Sequence, residues 1–126
     1  METSEKTFRV TGMDMTGYMV KDTERAIGFY RDVLGLEPTT LYPDGTGAEY
    51  ELADGTSFEL YNGGGHYPFR PGGTVAFAVD DWRAAVAHAK TAGGTIRLET
   101  ETPVCFMALL EDSEGNALMI HKRKNV

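Results

Sequence analysis

Glu59 is the residue in this chain best placed to do chemistry. It sits in Ser57-Phe58-Glu59-Leu60-Tyr61, where polar and large apolar residues alternate. A carboxylate on a mostly apolar face is hard to ionise, and that desolvation raises it toward the range of a general base. The same group could instead contact a ligand, or pair with an arginine in solvent. His121 follows Met119 by two residues and shares its face, within reach of Glu59 or of a ligand, unless the chain frays there into Lys122-Arg123-Lys124. Glu59, His121 and His66 together form a conceivable substitute divalent-metal set, although no spacing demands it. His88 falls on a helical pattern and reads as half-buried. Cys105 has no His or Asp neighbour to activate it and reads as an inert small hydrophobe. The sequence contains no phosphate loop, no GxGxxG after a strand, no HExxH, no CxxC and no GxSxG.

The elements that must position these groups fit in one domain, 1–126. Hydrophobic residues make up 41% and charged residues 25%, a globular mix that excludes a disordered chain, a coiled coil and a collagen. Twelve Lys and Arg stand against 19 Asp and Glu, a net charge of −7. That disfavours nucleic acid, whose binding needs clustered cations, and suits neutral or cationic ligands better. One cysteine excludes an internal disulfide. The start, METSEKTFRV, lacks the apolar core of a signal peptide, and no stretch is long enough to span a bilayer, so a cytoplasmic protein without membrane contact is expected.

Residues 1–6 are polar and expected to fray. Residues 14–20 read as a strand. Asp22 is the N-cap of a helix with Glu24 in its first turn; Ala26, Ile27, Tyr30, Val33 and Leu34 recur at helical spacing, and Gly35 closes it. Strands at 39–42, 48–52 and 57–61 follow, separated by Pro43-Asp44-Gly45 and Ala53-Asp54-Gly55. The glycine-rich segment 63–73 is a linker, whose Tyr67, Phe69 and Arg70 either act as a lid or pin it down. The plan then restarts. Residues 75–79 alternate as a strand, Asp81 caps a helix opened by Trp82, and Gly93-Gly94 ends it. Trp82 is expected to pack under the linker. Strands at 95–98, 105–111 and 117–122 complete the chain, and the Lys122-Arg123-Lys124 end is expected to be solvated.

The halves match at a shift of 59 residues. Val20-Lys21-Asp22 falls on Val79-Asp80-Asp81, Tyr30 falls on Ala89, and Gly35 falls on Gly94. One extra residue in the last turn then brings Gly55 onto Gly115 and Leu60 onto Ile120. Such a repeat defines a structural unit. The expected fold is α+β: two βαβββ modules, about 13–62 and 74–122, in a pseudo-twofold arrangement that forms a curved mixed sheet around a cleft.

In each module one face of the strands must pack on the helix. Tyr18 and Val20, Phe58 and Leu60, Val75, Phe77 and Val79, and Leu118 and Ile120 take that side. The other face carries Met15, Gly17 and Met19; Ser57, Glu59 and Tyr61; Thr74, Ala76 and Ala78; Ala117, Met119 and His121. A packed core would not select that small and partly polar set, whereas a ligand-holding concavity would. Methionines adapt to varied ligands, so Met15, Met19 and Met119 with Tyr61 could form its wall, or equally plain core.

DTERAIGFYRDVLGLEP resembles the first helix of the vicinal-oxygen-chelate superfamily of glyoxalases, bleomycin-resistance proteins and extradiol dioxygenases. FELYN and EDSEGNALMI resemble its fourth and eighth strands. The resemblance implies one metal ligand on each of strands one, four, five and eight, and these positions fall on Met15, Glu59, Thr74 and Met119. Only Glu59 is a good ligand for a hard or borderline metal, since thioethers are soft and a threonine hydroxyl is weak. No cofactor is therefore expected. The resemblance also implies a homodimer. The expected function is binding of a small organic molecule by Met15, Glu59, Tyr61, Thr74, Met119 and His121. The alternative is a lyase, isomerase or dioxygenase-type enzyme with an atypical metal site or with Glu59 as general base.

Overall fold

Strand β1 (Thr16–Met19) leads into helix α1 (Thr23–Leu34), followed by β2 (Thr40–Leu41), β3 (Gly47–Glu51) and β4 (Ser57–Tyr61). The order then repeats with β5 (Thr74–Ala78), α2 (Trp82–Thr91), β6 (Ile96–Glu101), β7 (Cys105–Glu111) and β8 (Ala117–Arg123). The structure is a computed structural model and describes residues 8, 9, 11, 13–65 and 68–125. Residues 1–6, His66 and Tyr67, and with them the frayed start, the His66 metal ligand and one of the three lid residues, lie outside the described residues.

Both helices start where the caps predict. The Asp22 carboxylate accepts the Arg25 amide at 3.0 Å, and that of Asp81 accepts the Ala84 amide at 3.1 Å. These bonds satisfy amides that have no partner within the helix. Gly35 closes α1 in the left-handed conformation at φ 69°. In α2 that role falls to Gly93 at φ 96° rather than to Gly94, so the repeat slips by one residue here.

Each module contributes one mixed four-stranded sheet, as expected, ordered β1-β4-β3-β2 and β5-β8-β7-β6. In each, the first and last strands of the module run parallel and the rest antiparallel. The repeat survives in the register. Thr16 pairs with Phe58 and Val75 with Leu118; Val20 N–H reaches Tyr61 O, and Val79 N–H reaches His121 O, both at 3.0 Å.

The helix-side faces of both sheets share one core. Phe58 of the first sheet meets Phe77 of the second edge to face at 5.0 Å, and Tyr30 of α1 lies 5.3 Å from Phe58 and 6.1 Å from Phe77. Burying one such ring contributes roughly 2–3 kcal/mol. Tyr18, Val20, Phe58, Leu60, Phe77, Leu118 and Ile120 are all buried, as their alternation predicts.

Several local expectations change. β1 begins only at Thr16, and β2 shortens to two residues. β6 runs on to Glu101, and β8 continues through His121 to Arg123 instead of fraying. Lys124 bonds to Glu101 and lies 4.8 Å over the Phe106 ring, so the basic end is anchored rather than merely solvated. Trp82 stacks on Phe106 at 5.4 Å and donates to Ile120 O at 3.1 Å. His88 is exposed rather than half-buried, and its Nε2 lies 2.9 Å from Asp32 O, linking α2 to α1. The linker is pinned through Phe69, beneath Lys21 at 5.7 Å, and through Gly72, whose amide donates to Asn116 at 3.2 Å. Among the described residues no helix is long and apolar enough to cross a membrane.

Candidate functional site

The Tyr18 side chain of β1 ties the first module to β5 and β8 of the second. The Tyr18 hydroxyl donates to Ala117 O at 2.5 Å and accepts the Val75 amide at 2.7 Å. The turn between β7 and β8 clamps the same junction. Asp112 accepts the Tyr30 hydroxyl at 2.9 Å, Asn116 donates to Met19 O at 3.1 Å, and Glu114 accepts the amides of Lys21 and Asp22 and the Arg25 guanidinium. Together these contacts fix where the non-helical face of the first sheet stands.

On that face a cavity of about 260 Å³ is lined by Met15, Gly17, Met19, Glu59 and Tyr61. Gly17 makes room for it. A side chain there would start 2.1 Å from Glu59 O and 2.8 Å from Glu59 Cγ, so β1 and β4 could not keep this spacing with any other residue. Glu59 is half-buried, and its carboxyl is held above the usual range, first by desolvation and then by repulsion from Glu49. Glu49 sits directly across the β3–β4 ladder from Glu59. Among the described residues neither carboxylate takes part in an ion pair. Tyr42 completes the surroundings. Its ring meets Tyr61 edge to face at 6.2 Å, and burial followed by the charges of Glu59 and Glu49 pushes its phenol upward.

Of the six predicted ligand residues, Met15, Glu59 and Tyr61 share this cavity. Thr74, Met119 and His121 lie on the equivalent face of the second sheet, Thr74 exposed and the other two half-buried, and do not line it. Tyr42 and Glu49 are absent from the sequence-based set. Only the hairpin register reveals them, because Glu49 faces Glu59 across a turn whose length sets the pairing.

The four positions at which the resemblance implies metal ligands offer one carboxylate, two thioethers and a hydroxyl. That donor set does not fit a catalytic zinc or iron, which needs about three nitrogen, oxygen or thiolate ligands. Among the described residues no three His, Cys, Asp or Glu side chains stand close enough together to hold a metal ion. What the arrangement offers is a desolvated carboxylate between thioethers and phenol rings, suited to organic surfaces and to positive charge.

Residues 12–120 match the profile of the Glyoxalase/Bleomycin resistance protein/Dioxygenase superfamily. No curated protein matches the chain. Among solved structures, a glyoxalase/bleomycin resistance protein from Catenulispora acidiphila is 23% identical with a TM-score of 0.70, over 86% of this chain and 95% of that one. Lactoylglutathione lyase from Agrobacterium tumefaciens is 19% identical with a TM-score of 0.72, over 90% and 94%. TnmS3, an antibiotic binding protein from Streptomyces sp. CB03234, is 20% identical with a TM-score of 0.75, over 93% and 99%. At these identities the structures establish a shared fold, while the profile covers most of the sequence. The chain belongs to the Glyoxalase/Bleomycin resistance protein/Dioxygenase superfamily.

Proposed function

We propose that this protein binds a small organic molecule on the non-helical face around Glu59, without the metal that other members of its superfamily use. The observation that carries this reading is the donor set: Glu59 is the one good ligand for a hard or borderline metal among Met15, Glu59, Thr74 and Met119. The Met and Tyr walls suit an organic surface, and the antibiotic-binding neighbour supports the same class of activity on this fold. The reading places Thr74, Met119 and His121 at the far side of the ligand and takes the working form as a cytoplasmic homodimer. A second reading has one specific observation in its favour. The raised Glu59 carboxyl is suited to take a proton from a bound substrate, as in a metal-free isomerase or lyase.

Native mass spectrometry of protein purified without a metal-affinity column or chelator tests the proposal. A metal-free species carrying an organic mass that Glu59→Gln releases supports it. About one divalent metal per chain overturns it.

A further inference from the structure

A second and larger cavity, about 820 Å³, opens between the modules on the side of the pseudo-twofold opposite the 112–116 turn. Its inner wall comes from Leu34 and Leu36 at the end of α1, Leu52 and Phe58 around the β3–β4 turn, and Phe77 and Val79 of β5. The repeat explains why it is hollow. On the closed side the 112–116 turn grips Tyr30, Arg25 and Met19 O through Asp112, Glu114 and Asn116. The internal repeat carries Tyr30, Arg25 and Met19 onto Ala89, Ala84 and Ala78, and it carries Asp112, Glu114 and Asn116 onto Leu52, Asp54 and Thr56. The two turns keep the same backbone: Leu52 N–H bonds to Thr56 O and Asp112 N–H to Asn116 O, both at 2.8 Å. Yet among the described residues no hydrogen bond joins the 52–56 turn to the second module. Where one side has a polar clamp and two large side chains, the other has alanines and a turn that makes no bond across the junction.

We propose that this hollow is a binding site for a neutral, mostly hydrocarbon molecule of drug size that carries a carbonyl or hydroxyl group. The volume falls in the range of about 300–1,000 Å³ in which proteins bury such ligands. The charged groups of the wall, Asp14, Asp54 and Arg123, are all exposed at the rim, so the interior offers nothing to offset the cost of burying an ionised group. The polar handle comes from the strand edge. Val79 N–H bonds to β8, so in the same register the backbone groups of Ala76 and Ala78 turn away from β8, toward the cavity they line. The hollow adjoins the Glu59 cavity through Met15 and Thr16 but does not include Glu59, so it stands or falls separately from the function proposed above.

N-phenyl-1-naphthylamine, a neutral apolar fluorophore, is the probe. Titrated into the full chain, it should brighten and saturate at one molecule per chain. Ala78→Phe on β5 and Ala53→Phe on the exposed turn fill the cavity from opposite walls. Each should weaken the probe by about tenfold or more while the melting temperature holds. The proposal is overturned if binding does not saturate, or if both variants bind as the parent does. Binding that appears only after residues 1–12 are removed overturns it in favour of the chain's own start as occupant, and binding that appears only on dilution overturns it in favour of a second copy.

Discussion

The Tyr18 hydroxyl accepts the Val75 amide at 2.7 Å and so ties the first strand of one module to the first strand of the other. The same oxygen donates to Ala117 O. In the parallel register of β5 and β8, Val75 N–H and Ala117 O are the pair that would bond directly, so the phenol is inserted into the ladder. Tyr18→Phe leaves both backbone groups facing a ring edge. The expected cost is about 1–3 kcal/mol, the penalty for unsatisfied buried polar groups. Urea unfolding measures it, and amide exchange at Val75 should quicken. Unchanged stability would mean that the ladder closes without the hydroxyl. Burial first of all pushes this phenol up to about 12, so the clamp stays protonated through the neutral range.

Asp112 is only 7% exposed, and its carboxylate gathers the Tyr30 hydroxyl, the Asn116 side chain and the amides of Glu114 and Asn116. Removing the carboxylate strips partners from several buried donors at once. Asp112→Ala should cost more than Tyr30→Phe, which removes one bond worth about 1 kcal/mol. The double variant should cost less than the two single changes added, because the changes share one contact. Strict additivity in chemical unfolding would show that the two groups do not couple.

Most of this architecture can be read from the chain, and the reasons are local. Asp22 and Asp81 cap helices through bonds three residues away, and Tyr18, Phe58, Phe77 and Ile120 declare their face by alternation. The repeat makes the two modules visible as copies. What stays hidden is whatever depends on pairing between elements. Glu49 becomes a neighbour of Glu59 only once the β3–β4 register is fixed. Ala84 and Ala89 look like ordinary helix formers until Arg25 and Tyr30 are seen filling the equivalent space on the other side of the junction. The Tyr18 hydroxyl has a backbone partner 57 residues away that no spacing rule anticipates. The extension of β8 through Arg123 likewise follows from its pairing with β7, where Cys105 meets Arg123.

Glu114 links the acid stability of the fold to the junction between modules. Its side chain is 1% exposed. Burial alone would raise its carboxyl, but the amide of Asp22, the Arg25 guanidinium and the amide of Lys21 together hold it below the usual range. A carboxyl with a depressed folded pKa adds stability above its unfolded value, about 4.3, and loses it as pH falls through the folded value. Glu114→Gln should therefore lower the melting temperature at neutral pH and flatten the fall toward acid. Parallel curves for the two proteins across the acid range would sink this assignment.

Glu59 should show the opposite sign, which separates it from a structural carboxylate. Its folded pKa is raised, by desolvation first and by Glu49 second. A raised acid contributes stability below its unfolded value, about 4.3, and that contribution is lost as pH rises through the folded value. At neutral pH the ionised group is thus a net liability in the ligand-free protein. Glu59→Gln should melt at an equal or higher temperature than the parent near pH 7 and show no such advantage near pH 4, while weakening the organic adduct seen in native spectra. Glu49→Gln should bring the Glu59 carboxyl back toward its ordinary value, which carbon-detected NMR titration reads directly. A Glu59→Gln protein that melts lower at neutral pH would place Glu59 in a stabilising contact instead, and the carboxylate would no longer be the group held ready for a ligand.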